Sequence, residues 1–395
     1  MGALILLIIF SISSFFANSQ STLTKLHRKA ILVDTHNDVL SSLTLEGKNI
    51  VNRLTEGHSD LYRFKEGGVD VQFFSIWTGE KARNPEGFYK DAMQEIDSLE
   101  AISLRSDKRM IIATNSREVK KGLRQQKLVA LIGVEGGHMI ENDIKKLEVL
   151  FNRGMRYMTL TWNNSISWAT SAMDETQNAD SLKNKGLSDF GKQIVHKMNQ
   201  LGIIVDLSHT GEQTFYDAIS VTTKPVLLSH SSVYTICPVF RNVKDDQIKA
   251  VAKNGGVICI NFYAGFIDSN FANRMNELVN RDKKRVTDSL KTYYDAAKMN
   301  EVWKNYFNQE LEPLRPTISQ LVDHIDYIVK LVGDDYVGIG SDFDGVSFLP
   351  KDLDDVTTYP LVTAELLRRG YSNKSIKKIL GANVLRVMKV NFKKN

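Results

Sequence analysis

The stretch A-I-L-V-D-T-H-N-D, residues 30–38, shows the pattern on which the fold prediction rests: a short apolar run that ends in polar residues. Seven further runs of this kind follow, and the segments between them carry amphipathic helical periodicity. The eight predicted strands are Ala30–His36, Val69–Trp77, Leu128–Glu135, Met155–Trp162, Ile203–His209, Pro225–His230, Gly256–Tyr263 and Tyr336–Asp342. Predicted helices between them include Tyr89–Leu104, Ile144–Arg153, Leu187–Leu201 and Ile318–Val332.

Strands that alternate with helices are parallel, and eight such units predict a closed (β/α)8 barrel, the TIM-barrel fold of the α/β class. A doubly wound open sheet is the competing architecture, but it calls for a glycine-rich phosphate-binding turn after an early strand, and no G-x-G-x-x-G occurs there. The charged stretch 266–316 is too long for an ordinary connection and predicts a helical insertion after the seventh strand, over the barrel mouth. Residues 20–395 are predicted to form a single domain, because no repeat or linker divides them.

The charge distribution and the N-terminal residues indicate which partners and which cellular location to expect. The formal charge of +5 is spread along the chain without blocks of like charge, which argues against a nucleic-acid partner.

Residues 2–16 are apolar, too short to span a bilayer, and precede A-N-S, so residues 1–19 are predicted to be a signal peptide cleaved near Ser19. Because no Lys or Arg precedes this run, an uncleaved anchor is the alternative. The expected mature protein is exported, periplasmic or extracellular, with no stable membrane span. Cys237 and Cys259 are predicted to be two buried thiols.

Metal-capable side chains fall at the C-terminal ends of the predicted strands, where barrel enzymes assemble their sites. His36 and Asp38 are two residues apart, so both can point to the same side of the first strand end. Glu135 precedes two glycines that permit a sharp turn, and His209 and His230 end two neighbouring strands. Imidazoles and carboxylates in this combination predict a zinc site.

The number of donors favours two Zn²⁺ per chain, since the two oxygens of Glu135 can each bind a different ion. Two ions about 3.5–4 Å apart can share a water, lower its pKa towards neutrality and polarise the carbonyl that it attacks. Each motif alone is weak evidence, because H-x-D is common by chance and a lone strand-end histidine is often structural. The prediction of a metal site rests on all five donors falling at the C-terminal ends of predicted strands. His58, His138 and His324 are interpreted as structural.

The ordered motifs resemble those of the membrane (renal) dipeptidases, zinc peptidases of the amidohydrolase-like barrel class. The resemblance runs from about Ile31 to the C-terminus and rests on V-D-T-H-N-D, G-V-E-G-G-H, M-R-Y-M-T-L-T, D-L-S-H, S-H-S-S-V-Y, G-S-D-F-D-G and Y-P-L-V-T-A-E-L-L-R-R-G. It implies one zinc bound by His36, Asp38 and Glu135, and a second bound by Glu135, His209 and His230. The family is commonly dimeric, so the resemblance also makes a homodimer an expectation.

The resemblance assigns roles beyond the metal ligands. Arg241 falls where the family binds the C-terminal carboxylate of the substrate, a task suited to a planar fork of donors. Asp342 matches the catalytic aspartate, which orients the hydroxide and passes its proton to the leaving amine. Glu135 joins Asp342 as a catalytic residue because it would link both ions. Tyr263 matches a position near the substrate, with a buried structural tyrosine as the alternative.

The chain departs from the family at the end of the fourth predicted strand, where the usual L-T-H is replaced by L-T-W-N-N. The family's histidine reaches the scissile carbonyl oxygen. Trp162 can donate only through its indole N–H and carries no positive charge, so stabilisation of the oxyanion would fall on the metals or on Asn163. Loss of one such donor typically costs on the order of 100-fold in rate. The replacement of this histidine by Trp162 therefore affects the prediction of the substrate and leaves the predicted metal ligands unchanged.

The expected activity is hydrolysis of the amide bond of dipeptides with a free C-terminal carboxylate, through a zinc-bridging hydroxide. One alternative is a related binuclear-zinc amidohydrolase that acts on another N-acyl amino acid, a lactam or an ester. The other is a non-catalytic binding protein that kept the barrel. The second alternative is disfavoured because five clustered polar groups are costly to bury without a use.

Overall fold

The structure is a computed structural model that describes residues 23–285, 288 and 296–392. The predicted signal peptide, residues 1–19, lies outside these residues. Nine parallel strands are found in the described chain: β1 Leu32–Asp34, β2 Val69–Ile76, β3 Met110–Ile112, β4 Leu128–Glu135, β5 Met155–Thr159, β6 Ile204–Asp206, β7 Leu227–Ser231, β8 Val257–Ile260 and β9 Val337–Ile339. Eight of them close a barrel in the order β1, β2, β4, β5, β6, β7, β8, β9 and back to β1. The predicted (β/α)8 barrel is confirmed.

The strand that the sequence did not predict is β3. It pairs with the first part of one edge of β4, at Met110 opposite Leu128, and the later part of the same edge pairs with β5, at Ile132 opposite Met155. A three-residue strand is too short to show an alternating pattern, so periodicity could not reveal it. It lies beside the barrel and leaves its closure unchanged.

The helices surround the barrel. The α-helices of the described chain include α1 Leu61–Gly67, α2 Phe88–Arg105, α3 Ser116–Arg124, α4 Ile144–Asn152, α5 Ala172–Gln177, α6 Asp189–Leu201, α7 Glu212–Val221, α8 Asp245–Asn254, α9 Ala264–Ile267, α10 Ser269–Arg281, α11 Ala296–Leu311, α12 Ile318–Val332, α13 Tyr359–Arg368, α14 Asn373–Lys377 and α15 Asn383–Asn391. The four predicted helices are confirmed to within two residues at each end. Among the described residues, no helix is long and apolar enough to cross a membrane.

Alternation along the strands divides the apolar side chains into two cores. Val129 and Leu131 of β4 pack inside the barrel, whereas Ala130 and Ile132 face the surrounding helices. Val384 and other residues of α15 join the inner core, so the C-terminal helix packs against the barrel interior. The polar residues gather at the C-terminal mouth of the strands.

The predicted helical insertion after the seventh barrel strand is confirmed. It follows β8 and includes α9, α10 and α11. Phe266 and Met275 from this insertion line the cavity in the barrel mouth, so the insertion covers part of the mouth as predicted. Both cysteines are free and buried, as the sequence analysis expected.

His324 of α12 ties the insertion to the loop after β7. Its Nδ1 accepts a hydrogen bond from the backbone N–H of Val233 at 3.0 Å, and its Nε2 lies 3.0 Å from the carbonyl oxygen of Ile267. Since Nδ1 accepts, the ring is neutral and Nε2 donates. The structural interpretation of His324 fits these contacts.

Stability is expected to depend on pH through His324. Burial lowers its pKa to about 4, from about 6.5 in an unfolded chain. Between these values the unfolded state binds more protons than the folded state. The contribution of His324 to the free energy of unfolding should therefore be fully present above pH 6.5 and decrease as the pH drops towards 4. The loss should amount to roughly 3 kcal/mol. Urea unfolding of metal-free protein between pH 4.5 and 7 measures it; His324→Gln should flatten the slope, and His196→Gln, at an exposed histidine, should not.

Candidate metal centre and substrate cavity

The five predicted donors lie together at the C-terminal mouth of the barrel, and all are buried. Glu135, the last residue of β4, is at their centre. Its Oε2 is 3.3 Å from Nε2 of His36, and its Oε1 is 2.9 Å from Nε2 of His209 and 3.4 Å from Nε2 of His230. Asp38 lies beyond His36, with Oδ2 3.3 Å from Nε2. The two oxygens of Glu135 therefore face two different sets of donors.

Local backbone geometry turns these side chains inward. Gly136 has φ +102°, a conformation that favours glycine and lets the chain turn directly after Glu135, as the sequence analysis expected. His209 and Asp342 adopt left-handed backbone conformations, with φ of 63° and 64°. Such conformations are uncommon for residues other than glycine and cost of order 1 kcal/mol or more, so the surrounding fold must hold them.

In His209 and His230, the hydrogen bond at Nδ1 determines which ring nitrogen carries the proton and which is free to bind a metal. Nδ1 of His209 lies 3.0 Å from Oδ1 of Asn163, which can only accept. Nδ1 of His230 lies 2.8 Å from Oγ of Ser229, which gives its own proton to Asp206 at 2.7 Å. Both histidines therefore carry their proton on Nδ1 and present a bare lone pair on Nε2.

These two lone pairs face each other, with the Nε2 atoms of His209 and His230 only 2.9 Å apart and a carboxylate oxygen beside them. Nε2 of His36 and Oδ1 of Asp38 are also buried without a hydrogen-bond partner. The facing lone pairs of His209 and His230, with Oε1 of Glu135 beside them, are destabilising unless a cation lies between them. The residues present fit a bound metal, and an imidazole–carboxylate donor set fits zinc.

The electrostatics of the cluster agree with this arrangement. Burial, helped by the charge of Arg241, lowers the pKa of His209 to about 3, and burial together with the charge of His36 holds the pKa of His230 well below its usual range. Both rings are thus neutral, as metal ligands must be. Burial opposes ionisation of Glu135, but the charge of His36 and the neighbouring imidazoles hold its pKa well below its usual range.

Asp342 lies beside the donor cluster, after β9. Its Oδ1 is 4.0 Å from Nε2 of His36, and its Oδ2 accepts a hydrogen bond from Nδ2 of Asn261 at 2.8 Å. Burial and the nearby carboxylates Asp38 and Glu135 raise its pKa well above the usual range. Gly345 makes room for this packing, since a Cβ there would lie 2.2 Å from Asp38 and 2.4 Å from Asp342. One oxygen of Asp342 is held while the other faces the donors.

A cavity of about 310 Å³ opens above the donors, and the remaining predicted site residues, Arg241, Tyr263, Trp162 and Asn163, all line it. Arg241 is buried, its Nη2 donates to the carbonyl oxygen of His230 at 3.1 Å, and its Nε has no partner. Burial lowers the pKa of Arg241 to about 10, which leaves it charged at neutral pH. No carboxylate of the described residues forms an ion pair with it. The cavity therefore holds a cation whose anionic partner is free to come from a ligand.

Trp162 stands where the family's L-T-H motif has its histidine, and Asn163 follows it; the two side chains take different positions. Trp162 packs edge-on against Trp77, with ring centroids 5.2 Å apart, and its centroid lies 6.3 Å from that of His209. The side-chain oxygen of Asn163 is engaged by Nδ1 of His209. Asn163 thus positions a predicted metal ligand in addition to lining the cavity.

Two other histidines that were interpreted as structural have internal partners. His58 accepts the backbone N–H of Asp344 at 2.9 Å and therefore steadies the segment that carries Asp342. Nε2 of His138 lies 3.2 Å from the carbonyl oxygen of Thr78, and burial lowers the pKa of His138 to about 4. His138 does not belong to the donor cluster, although it follows Glu135 closely in sequence.

Several residues that orient the donors were not predicted. Tyr157 places its hydroxyl 2.8 Å from Nδ1 of His36, Asp206 and Ser229 support His230, and Asn261 holds Asp342. Asp206 and Ser229 lie within the D-L-S-H and L-S-H segments, which was a usable signal. Tyr157 lies within the M-R-Y-M-T-L-T segment, but that segment did not show its partner, and Asn261 offered no signal; the partners of both come from strands far away in the chain.

Comparison with known proteins places the chain in a family. The family described as membrane dipeptidase, peptidase family M19, matches residues 20–395. An uncharacterized dipeptidase of Schizosaccharomyces pombe is 32% identical over 391 residues, which cover 94% of this chain and 83% of that protein. The match spans nearly the whole sequence, including every predicted site residue.

Solved structures share the fold. The probable dipeptidase PvdM from Pseudomonas aeruginosa superposes with a TM-score of 0.78 at 23% identity, covering 95% of this chain and 98% of that one. A metallopeptidase from Rhodobacter sphaeroides, liganded with a phosphinate mimic of the dipeptide L-Ala-D-Ala, gives a TM-score of 0.73 at 21% identity, covering 92% and 100%. The chain therefore belongs to the membrane dipeptidase family, peptidase family M19, and is a metallopeptidase that hydrolyses dipeptides.

Proposed function

We propose that this metallopeptidase hydrolyses dipeptides that carry a free C-terminal carboxylate, with two zinc ions at the barrel mouth. The observation that carries the proposal is the position of Glu135, whose two oxygens face separate groups of donors in a cavity that also contains the unpaired cation Arg241. A carboxylate-bearing substrate could place its scissile carbonyl over the donors and its carboxylate on the arginine.

The residues that would hold the first ion are His36, Asp38 and Glu135, and those for the second are Glu135, His209 and His230. When bound, the two ions would supply a hydroxide at neutral pH and polarise the amide carbonyl that it attacks. Tyr157, Ser229 and Asn163 would fix the three imidazoles in the ligating tautomer and orientation.

The other cavity residues bind the substrate and move a proton. Arg241 binds the C-terminal carboxylate through its planar fork, and the ring of Phe266, with its centroid 5.3 Å from Cζ, supports the guanidinium. Asp342, held at Oδ2 by Asn261, takes the proton at Oδ1 and delivers it to the leaving amine. Tyr263 and Trp162 contact the substrate from the cavity wall. The arrangement supports general acid–base chemistry beside an anchored substrate.

The proposal also covers the ends of the chain. Residues 1–19 direct export and are removed near Ser19, and residues 20–395 form the catalytic domain. The apolar run 2–16 followed by A-N-S supports export, and the helix α15, packed against the barrel interior, supports a single domain.

A panel of L,L- and L,D-dipeptides tests the function. Purified protein is assayed as prepared, after removal of metal with a chelator, and after zinc is restored. We expect cleavage that disappears with the metal and returns with zinc, at about two zinc per chain by elemental analysis. Cleavage that survives chelation, or no cleavage of any dipeptide after zinc is restored, would contradict the proposal.

Replacing Arg241 by methionine tests the anchor. Loss of the buried cation should lower kcat/KM for dipeptides by about 10²–10⁴-fold, mainly through KM, because removing one partner of a buried ion pair costs roughly 3–5 kcal/mol. The advantage of a dipeptide over the same dipeptide amide should disappear in the variant. Arg368→Met, at an exposed arginine, is the control. Unchanged kcat/KM in Arg241→Met would exclude recognition of a substrate carboxylate by this residue.

A further inference from the structure

Trp77 lies across the barrel mouth from Arg241. Trp77 directly follows β2, and Arg241 follows β7. In the closed barrel, β2 and β7 are separated by three strands in either direction around the ring. Their C-terminal ends therefore face each other across the mouth, with the metal donors between them. Both residues line the same cavity.

Trp162 extends the surface formed by Trp77. The two indoles pack edge to face at 68°, with centroids 5.2 Å apart, and both line the cavity. The charged groups that line this cavity all belong to the proposed metal ligands, to Asp342 or to Arg241. Trp77, opposite Arg241, and Trp162 beside it thus offer an apolar aromatic surface, and the described residues that line the cavity add no charge there beyond the donor Glu135. We refer to Trp77 and Trp162 together as the tryptophan wall.

The wall is held in place before any substrate arrives. The backbone N–H of Trp77 donates to Oε2 of Glu95 at 3.0 Å, and the backbone carbonyl of Trp77 accepts from Nη1 of Arg83 at 2.9 Å. Arg83 and Glu95 pair with each other as well. A preformed apolar surface binds an apolar group without the entropic cost of ordering it. Arg83 and Glu95 are positioning residues for Trp77.

We propose that the tryptophan wall receives the side chain of the N-terminal residue of the substrate, so that the enzyme prefers dipeptides with an aromatic or branched aliphatic residue at that position. The inference rests on the proposed function, because the C-terminal carboxylate on Arg241 sets the direction of the substrate. Two residues span about 7 Å when extended. With the carboxylate at one side of the mouth and the amide carbonyl over the donors, the N-terminal residue points to the opposite side, where the wall lies.

Two substrate series test the proposal with the zinc-loaded full-length protein. In the X-Ala series, kcat/KM for Phe-Ala and Leu-Ala should exceed that for Gly-Ala, Asp-Ala and Lys-Ala by about 10–100-fold, the range that a hydrophobic pocket supplies. In the Ala-X series, the identity of X should matter less. Trp77→Ala and Trp162→Ala should reduce the Phe-Ala to Gly-Ala ratio to within about threefold of one and leave the Ala-Phe to Ala-Gly ratio unchanged.

Milder variants guard against loss of folding, and zinc content reports on the intact centre. Trp77→Phe and Trp162→Phe keep a smaller apolar ring and should give intermediate ratios. Tyr62→Ala, which removes an aromatic ring outside the cavity, should keep the wild-type ratios.

A wild-type ratio near one overturns the proposal, as does an unchanged ratio in properly zinc-loaded tryptophan variants or a change confined to the Ala-X series. If the zinc-loaded wild-type protein cleaves no dipeptide at all, the proposed function fails and this inference fails with it.

Discussion

Replacing Glu135 by glutamine is expected to lower kcat/KM for dipeptides by about 10³-fold or more. The amide keeps the shape of the side chain, but it has one neutral oxygen where the carboxylate has two charged ones facing His36 on one side and His209 and His230 on the other. It therefore cannot link two cations. Loss of several kcal/mol of metal-derived stabilisation corresponds to this factor at about 1.4 kcal/mol for each tenfold change.

The measurement pairs kinetics with elemental analysis, because the explanation requires a loss of metal. Bound zinc should fall from about two per chain to one or fewer. Glu148→Gln, at a partly exposed glutamate that pairs with Lys197 on the outer helices, should retain both activity and zinc. A Glu135→Gln protein that keeps two zinc ions and wild-type kcat/KM would refute the bridging role.

Replacing Asp342 by asparagine should lower kcat by about 10²–10⁴-fold, the usual contribution of a positioned acid or base. Asparagine preserves the size of the side chain, and its carbonyl oxygen can still accept the hydrogen bond from Asn261 that holds Asp342. It cannot carry the transferred proton. Because Asp342 is not among the proposed metal ligands, zinc content and KM should change little.

The separation of kcat from KM and zinc content distinguishes a proton-transfer role from a structural one. Asp354→Asn, at an exposed aspartate that pairs with Arg315, should behave as wild type. If Asp342→Asn lost its zinc together with its activity, Asp342 would act as a ligand. If it kept more than a tenth of wild-type kcat, it would have no catalytic role.

Sequence reasoning was strongest where the signal was local. The donors His36, Glu135, His209 and His230 were found because an apolar run followed by a polar side chain is visible within ten residues, although the structure ends β1 at Asp34 and β6 at Asp206. The helices α2, α4, α6 and α12 were found for the same reason, since amphipathic periodicity is a property of consecutive residues. The short strand β3 escaped because three residues carry no period.

Arg241 and Asp342 required the family resemblance. Taken alone, Arg241 lies in a loop eleven residues after His230, and no local pattern distinguishes it from a surface arginine. Only the structure places it in the cavity, buried and without a carboxylate partner among the described residues. A residue on a loop is positioned by what the loop packs against, and in this loop His324 of α12 holds the backbone of Val233.

By itself the sequence determined the alternation of strands and helices, and therefore the barrel, together with the polar side chains that end its strands. The tertiary structure decided which groups orient those side chains. Tyr157 meets His36 across 121 positions of sequence, and Trp77 packs against Trp162 on one side of the barrel mouth. Such contacts depend on strand register and on closure of the sheet, which bring residues from separate strands within a few ångströms. Periodicity along one segment contains no information about that distance.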